Sequence, residues 1–477
     1  MDIKIKSLNQ KIAHNSIIQT VGKFISVFLG IIALGIMTRY LGPEKFGQYT
    51  IVIAFLQFFA ILADMGLMLV TTQMISRPNA DIQKTLNNLF TFRFCASLIF
   101  FSIAPIAVLF FPYPPIVKTA IFIFTLSFFL LSLIQVLTGL FQKELKMAKV
   151  AVADIIGKGT MTALVALAAY FNLGLIGILV AAIIGNIFNF SYLLFSASRI
   201  IKIRFAFDFD IWKQIFKRSW PIAISIAFNL VYLKADTIIL SLTHSSADVG
   251  IYGFSFRFLE ILIMLPTMFM GLILPLLSNY WATKNFDKFK KILQMAFNVI
   301  IIMAVPMVVG TFFLADKIVV LIAREDFISS APVLKIIILA SAMVFMGTLY
   351  GHTVVALEKQ RQMIWAYAAT AVLSMAAYLI FIPKYSYFGA AWATVFAETL
   401  IATICFVMVA KTTKMLPDIA ILFKTILSSG VMAAALYYFQ SQHIILLLPM
   451  SIIVYFVSLY LLKGFSKELV SDLIKIK

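Results

Sequence analysis

Apolar residues run through this chain in long blocks, broken by short polar stretches. Fourteen blocks can be marked, near residues 17–38, 48–72, 89–111, 118–140, 149–171, 174–198, 218–242, 251–279, 291–314, 333–357, 363–383, 388–410, 419–439 and 443–462. An apolar helix of ~20 residues matches the hydrocarbon thickness of a bilayer, so each block predicts a membrane-crossing helix. The expected fold is an all-α integral membrane protein of 14 transmembrane helices. Most connections are short. The longest are 199–217 and 315–332. The first of these mixes basic, apolar and acidic residues around Trp212 and predicts an amphipathic helix lying along the membrane surface.

The polar stretches carry the charge. Apolar residues make up 62% of the 477 positions and charged ones only 12%, so a water-soluble fold is excluded. The net charge of +19 is not a nucleic-acid signal, because the basic residues sit in loops between apolar blocks. With residues near span ends assigned to the adjoining side and the N-terminus placed inside, 27 of the 39 lysines and arginines fall inside. Only 7 fall outside. That asymmetry predicts cytoplasmic N- and C-termini. The basic first segment precedes a long apolar block, which reads as an uncleaved first helix rather than a signal peptide.

The pattern also repeats. Residues 46–58, FGQYTIVIAFLQF, are echoed by 249–261, VGIYGFSFRFLEI, with Gly47 matching Gly250, Tyr49 matching Tyr252, Leu56 matching Leu259 and Gln57 matching Glu260 at an offset of 203. A weaker echo relates 139–152 to 355–368. Six helices per copy is an even number, so the copies enter the membrane in the same direction, as parallel repeats. The chain therefore divides into two pseudo-symmetric six-helix lobes plus two C-terminal helices. Residues 1–205 hold helices 1–6 and the start of the linker, 206–412 hold helices 7–12, and 413–477 hold helices 13–14 and a cytoplasmic tail.

Ionisable residues inside the blocks are where function would be written, since each is costly in hydrocarbon. Lys23, Asp64, Asp154, Lys158, Lys234, Asp236, Arg257, Glu260 and Glu398 all lie within predicted spans. Asp154 with Lys158, and Arg257 with Glu260, share a helix face, so mutual neutralisation competes with a functional reading. Lys234 and Asp236 lie on opposite helix faces, and at least one is expected to meet a wet cavity or a partner helix. Snorkelling competes with a cavity role for Lys23, and a helix cap or helix–helix hydrogen bond for Asp64. Arg93, Lys118 and Lys424 fall nearer span ends and are expected to be interfacial anchors. Lys23, Lys158, Lys234 and Arg257 form a candidate cationic cavity suited to a phosphate or diphosphate. Asp64, Asp154, Asp236, Glu260 and Glu398 are candidates for ion coupling.

Cys95 and Cys405 read as packing residues, and the four histidines have no metal-ligand spacing. The chain contains no P-loop, HExxH or GxSxG motif. No metal, cofactor or covalent chemistry is expected.

Four segments carry a resemblance to a known family: RYLGPEKFGQYTIVIAF (39–55), LADMGL (62–67), KADTIIL (234–240) and VGIYGFSFRFLE (249–260). They resemble the Wzx-type polysaccharide (O-antigen and capsule) flippases, which share a superfamily with the multidrug and toxic-compound extruders. The resemblance implies a non-enzymatic transporter in the bacterial cytoplasmic membrane. Such a protein moves an undecaprenyl-diphosphate-linked oligosaccharide to the outer leaflet by alternating access. It further implies membrane lipids, a polysaccharide polymerase and the chain-length machinery as partners. The alternative on the same scaffold is an ion-coupled exporter of small toxic compounds.

Overall fold

A computed structural model describes residues 2–64, 66–75 and 81–464, and contains helices and no strands among them. Residues 76–80 and the basic tail 465–477 lie outside the described residues. In order, the helices are α1 (Asp2–Asp64), α2 (Leu67–Ile75), α3 (Ile82–Ala107), α4 (Pro115–Lys143), α5 (Met147–Tyr170), α6 (Gly174–Ser198) and α7 (Phe209–Thr243). They continue as α8 (Ser246–Leu262), α9 (Met264–Ala282), α10 (Phe286–Ala323), α11 (Ser330–Ala356), α12 (Gln360–Thr413), α13 (Ala420–Tyr438) and α14 (Ile444–Leu461).

Eleven helical stretches among the described residues are long and apolar enough to cross a membrane. Two of them, Ile18–Asp64 with 47 residues and Gln360–Thr413 with 54, are roughly 70–80 Å long and exceed one bilayer thickness. Each bends at a single residue. In α1 the bend is Gly42 (φ 66, ψ 177), followed by Pro43. Glycine accepts a positive φ without a Cβ penalty, and proline fits a first helical turn because no N–H is needed there. In α12 the bend is Ser386 (φ 50, ψ −135), just after Pro383. The stretch 39–47, expected as the connection between the first two apolar blocks, is thus helix on both sides of one residue.

Other boundaries differ from the hydropathy reading. The second apolar block breaks after Asp64 and resumes at Leu67, with Gly66 at φ 75. The connection 315–332 is mostly helix, because α10 continues to Ala323 before a short turn of 3₁₀ helix at Glu325–Phe327. The linker 199–217 contains no separate surface helix: residues 202–208 are non-helical, and α7 begins at Phe209.

That non-helical strap is held along α3 by side chains. Lys202 N–H donates to Gln83 Oε1 at 3.2 Å, Arg204 N–H to Asn87 Oδ1 at 3.1 Å, and Ala206 N–H to Thr91 Oγ1 at 2.9 Å. Asp208 N–H donates to Asn88 Oδ1 at 2.8 Å. Four residues of helix rise ~6 Å and two residues of extended chain rise ~6.6 Å, so the two periods match over the first three rungs, after which the strap turns back to Asn88. At the strap's end Lys84 Nζ meets Asp208 Oδ2 at 2.6 Å, and Asp208 also caps α7 by accepting the N–H groups of Asp210 and Ile211. Lys84 and these cap bonds hold the Asp208 carboxyl below the usual carboxylate range.

The chain forms two compact units, Met1–Gly250 and Ile251–Lys477. In the first, α2, α3 and α4 bury a core including Val70, Leu89, Leu137 and Phe141, which Leu193, Ile201 and Ile215 complete. The first unit also includes the start of α8, where the two echoing segments meet. A Cβ on Gly47 would lie 1.6 Å from Ser246 O, and one on Gly250 would lie 2.0 Å from Pro43 O. Pro43 and Ser246 are themselves separated by the offset of 203, so the contact is reciprocal: each copy's glycine sits against the other's carbonyl. Small residues four apart allow such close backbone approach in membranes.

In the second unit α9–α14 enclose Phe289, Phe297, Ile300, Phe345 and Leu349. Tyr455 on α14 donates to Ile302 O on α10 at 2.8 Å. Around both units large apolar side chains point outward, Phe122, Trp365 and Leu461 among them. Lipid, not water, is the solvent that fits such a surface.

Candidate functional site

Several ionisable groups of the first unit gather at two places. The first is the break after α1. Arg93, eleven residues into α3, lies ~17 Å along the helix from Ile82, about half of a hydrocarbon core. It is 1% exposed. Its Nη1 donates to Asp64 Oδ1 at 2.6 Å and to Ala63 O at 3.1 Å. Its Nη2 donates to Gln135 Oε1 at 2.6 Å, and its Nε donates to both the hydroxyl and the carbonyl of Ser132. Asp64 Oδ2 accepts the N–H of Gly66 at 3.2 Å. The guanidinium therefore closes the C-terminal end of α1, where carbonyls lose their helical partners and the dipole is negative.

Arg93 is thus not the interfacial anchor expected of it. The hydropathy reading began α3 near residue 89, which put Arg93 close to a span end. The helix starts at Ile82, with Asp81 as N-cap accepting the N–H of Lys84 at 2.9 Å. An arginine in one span and a solitary aspartate in the preceding one was the signal available in the sequence.

The second place is the packed helix trio α1, α5 and α6. A Cβ on Gly22 would lie 2.6 Å from Ala151 Cβ, and Thr162 Oγ1 donates to Leu29 O at 3.2 Å. Between those contacts α1 presents Lys23 and α5 presents Asp154 and Lys158. Both lysines are exposed, while Asp154 is half-buried and accepts a hydrogen bond from Asn189 Nδ2 of α6 at 3.1 Å. The structure brings these sequence-selected residues onto one pair of helices.

On α7, Lys234 is half-buried. Asp236 is fully buried, and its Oδ1 accepts the N–H and hydroxyl of Thr237. In the second unit Arg257 Nη1 donates to Glu260 Oε2 at 2.6 Å, the i,i+3 pairing expected from spacing, with both groups part-exposed. Glu398 is buried at 4% exposure on the second arm of α12. Cys405 Sγ packs on Met363 Sδ at 3.8 Å. Among the described residues no three histidine, cysteine or acidic side chains are grouped to hold a metal ion.

The same fold is found in solved membrane transporters. It superposes on "Lipid II flippase MurJ, inward closed conformation" with a TM-score of 0.76 at 18% identity, covering 93% of this chain and 98% of that one. An inward-facing multidrug resistance MATE family transporter of the MOP superfamily gives 0.70 at 14% identity, covering 84% and 98%. In sequence, "Probable flippase AglR" of Haloferax volcanii is 25% identical over 213 residues, 44% of each chain, so the match spans less than half of that relative. Residues 36–332 match the family described as "Polysaccharide biosynthesis protein", and the chain belongs to that family. The resemblance read from residues 39–55 and 249–260 is borne out at this level.

Proposed function

We propose that this protein is a flippase that carries an undecaprenyl-diphosphate-linked oligosaccharide repeat unit from the cytoplasmic to the outer leaflet for surface polysaccharide synthesis. The reading is supported by family membership joined to basic side chains on helices read as membrane-crossing. Lys23 and Lys158 sit exposed on one helix pair, Lys234 is half-buried, and Arg257 is part-exposed beside Glu260. A lipid diphosphate carries concentrated negative charge past a barrier where bare charge is costly, and cationic side chains offset that cost. The oligosaccharide would follow through the interior while the polyprenyl chain stays in lipid. Alternating access is the proposed mechanism, with the two lobes related as parallel repeats and both termini cytoplasmic. Fourteen crossings follow if each arm of the two bent helices crosses once and α7 crosses as well. The polymerase and chain-length machinery that consume the product are the proposed partners.

Cells lacking the protein test the reading directly. The expected result is a complete lipid-linked unit that accumulates unlabelled by an impermeant sugar reagent, with loss of surface polymer. An unchanged glycan pool together with raised sensitivity to cationic drugs would replace it with the exporter reading.

A further inference from the structure

The ladder on α3 uses one edge of the strap. The N–H groups of residues 202, 204, 206 and 208 are taken by Gln83, Asn87, Thr91 and Asn88. The alternating N–H groups of Ile203, Phe205 and Phe207 meet no acceptor among the described residues. Around this open edge the side chains fall into two chemistries. Lys202 and Arg204 are exposed, as are Lys213 and Lys217 on the first turns of α7. Phe205, Phe207 and Phe209 are exposed at 59%, 62% and 74%. Of the nearby acids, Asp208 is already paired with Lys84, which leaves Asp81 at the start of α3 and Asp210.

We propose that the strap and the start of α7 form a docking surface for anionic phospholipid headgroups, in the leaflet on the side of the basic loops. Lys202, Arg204 and the open N–H row supply cations and donors to a phosphate. The phenylalanines enter the interface, where aromatic rings are favoured. An open strand edge can also recruit another strand. Here charge complementarity favours lipid, because four exposed cations outnumber the two acids, Asp81 and Asp210, that are left beside them. Tethering to α3 matters because it fixes the open N–H groups on the side away from the bundle.

The test uses the full-length protein in nanodiscs of phosphatidylcholine with or without phosphatidylglycerol. Lys202→Gln with Arg204→Gln is compared with wild type and with Lys288→Gln/Lys290→Gln as a control pair. All four side chains are exposed, so folding is expected to survive, and thermal midpoints check this. Bound phosphatidylglycerol, counted by native mass spectrometry at low salt, should fall roughly tenfold or more in the strap variant and little in the control. Amide exchange resolved at residues 203, 205 and 207 should slow when phosphatidylglycerol is present. Equal retention in wild type and the strap variant would overturn the proposal. So would equal protection by inorganic phosphate in phosphatidylcholine discs. Protection that tracks protein concentration instead of lipid would overturn it in favour of strand pairing between copies.

Discussion

Arg93 makes hydrogen bonds to four residues that come from two stretches of chain, the end of α1 and the middle of α4. A buried guanidinium is tolerated only when its charge and its donors are both matched, and here the match includes an acid and the loose end of a helix. Arg93→Ala should cost about 3–5 kcal/mol, because it leaves Asp64 and the Ala63 carbonyl without their donor. The measurement is the thermal midpoint in detergent. Asp64→Asn alone should also destabilise, by leaving the cation uncompensated. The double variant Asp64→Asn/Arg93→Ala should lose less than the two single losses added together, the signature of a coupled pair. Additive losses would mean that the 2.6 Å contact contributes little.

Among the elements, the strap depends on a helix face that hydropathy misreads. The sequence IQKTLNN at the start of α3 is polar, so it scores as loop. Its Gln83, Asn87 and Asn88 are instead occupied with another segment's backbone. Replacing Asn87 by Ala and Thr91 by Val should leave two N–H groups without acceptors, about 1–3 kcal/mol each if they stay buried. Trypsin should then cut faster at Lys202 and Arg204, while cleavage unchanged from wild type would show that the ladder does not restrain the strap. Asp208, with its lowered carboxyl, supports this joint fully at neutral pH. Its contribution begins to fade only as the pH falls below the ordinary carboxylate range and is lost through the lowered value. The long apolar blocks, the paired Arg257 and Glu260, and the likeness of the echoing segments were legible in the sequence, because hydropathy and spacing report them; the contact between those segments was not. The bends at Gly42 and Ser386, the break at Gly66 and the burial of Arg93 were not. They depend on backbone angles and on partners 29 to 42 residues away in sequence, to which a local pattern is blind.

For the molecule as a whole, the proposed cationic pathway predicts that Lys23→Ala and Arg257→Ala, at normal expression, each lower export of surface polymer. Full export in both variants would remove the cationic-cavity mechanism. The close approach of α1 and α8 makes a second prediction. Gly47→Ala and Gly250→Ala each place a methyl group against a carbonyl and should lower the thermal midpoint, whereas Gly30→Ala, with open space at its Cβ, should not. A matched loss in all three would mean that the crossing is not what responds, since alanine is the better helix former at every one of these sites.

That crossing also bears on how such a chain can change over generations. The two halves differ at most of their equivalent positions, as though each were free to drift. At residues 47 and 250 they are not independent, because a side chain gained in one half is felt as a collision by the backbone of the other. Chimaeras that join the front half of one relative to the back half of another should therefore be viable only when both parents keep this slot empty.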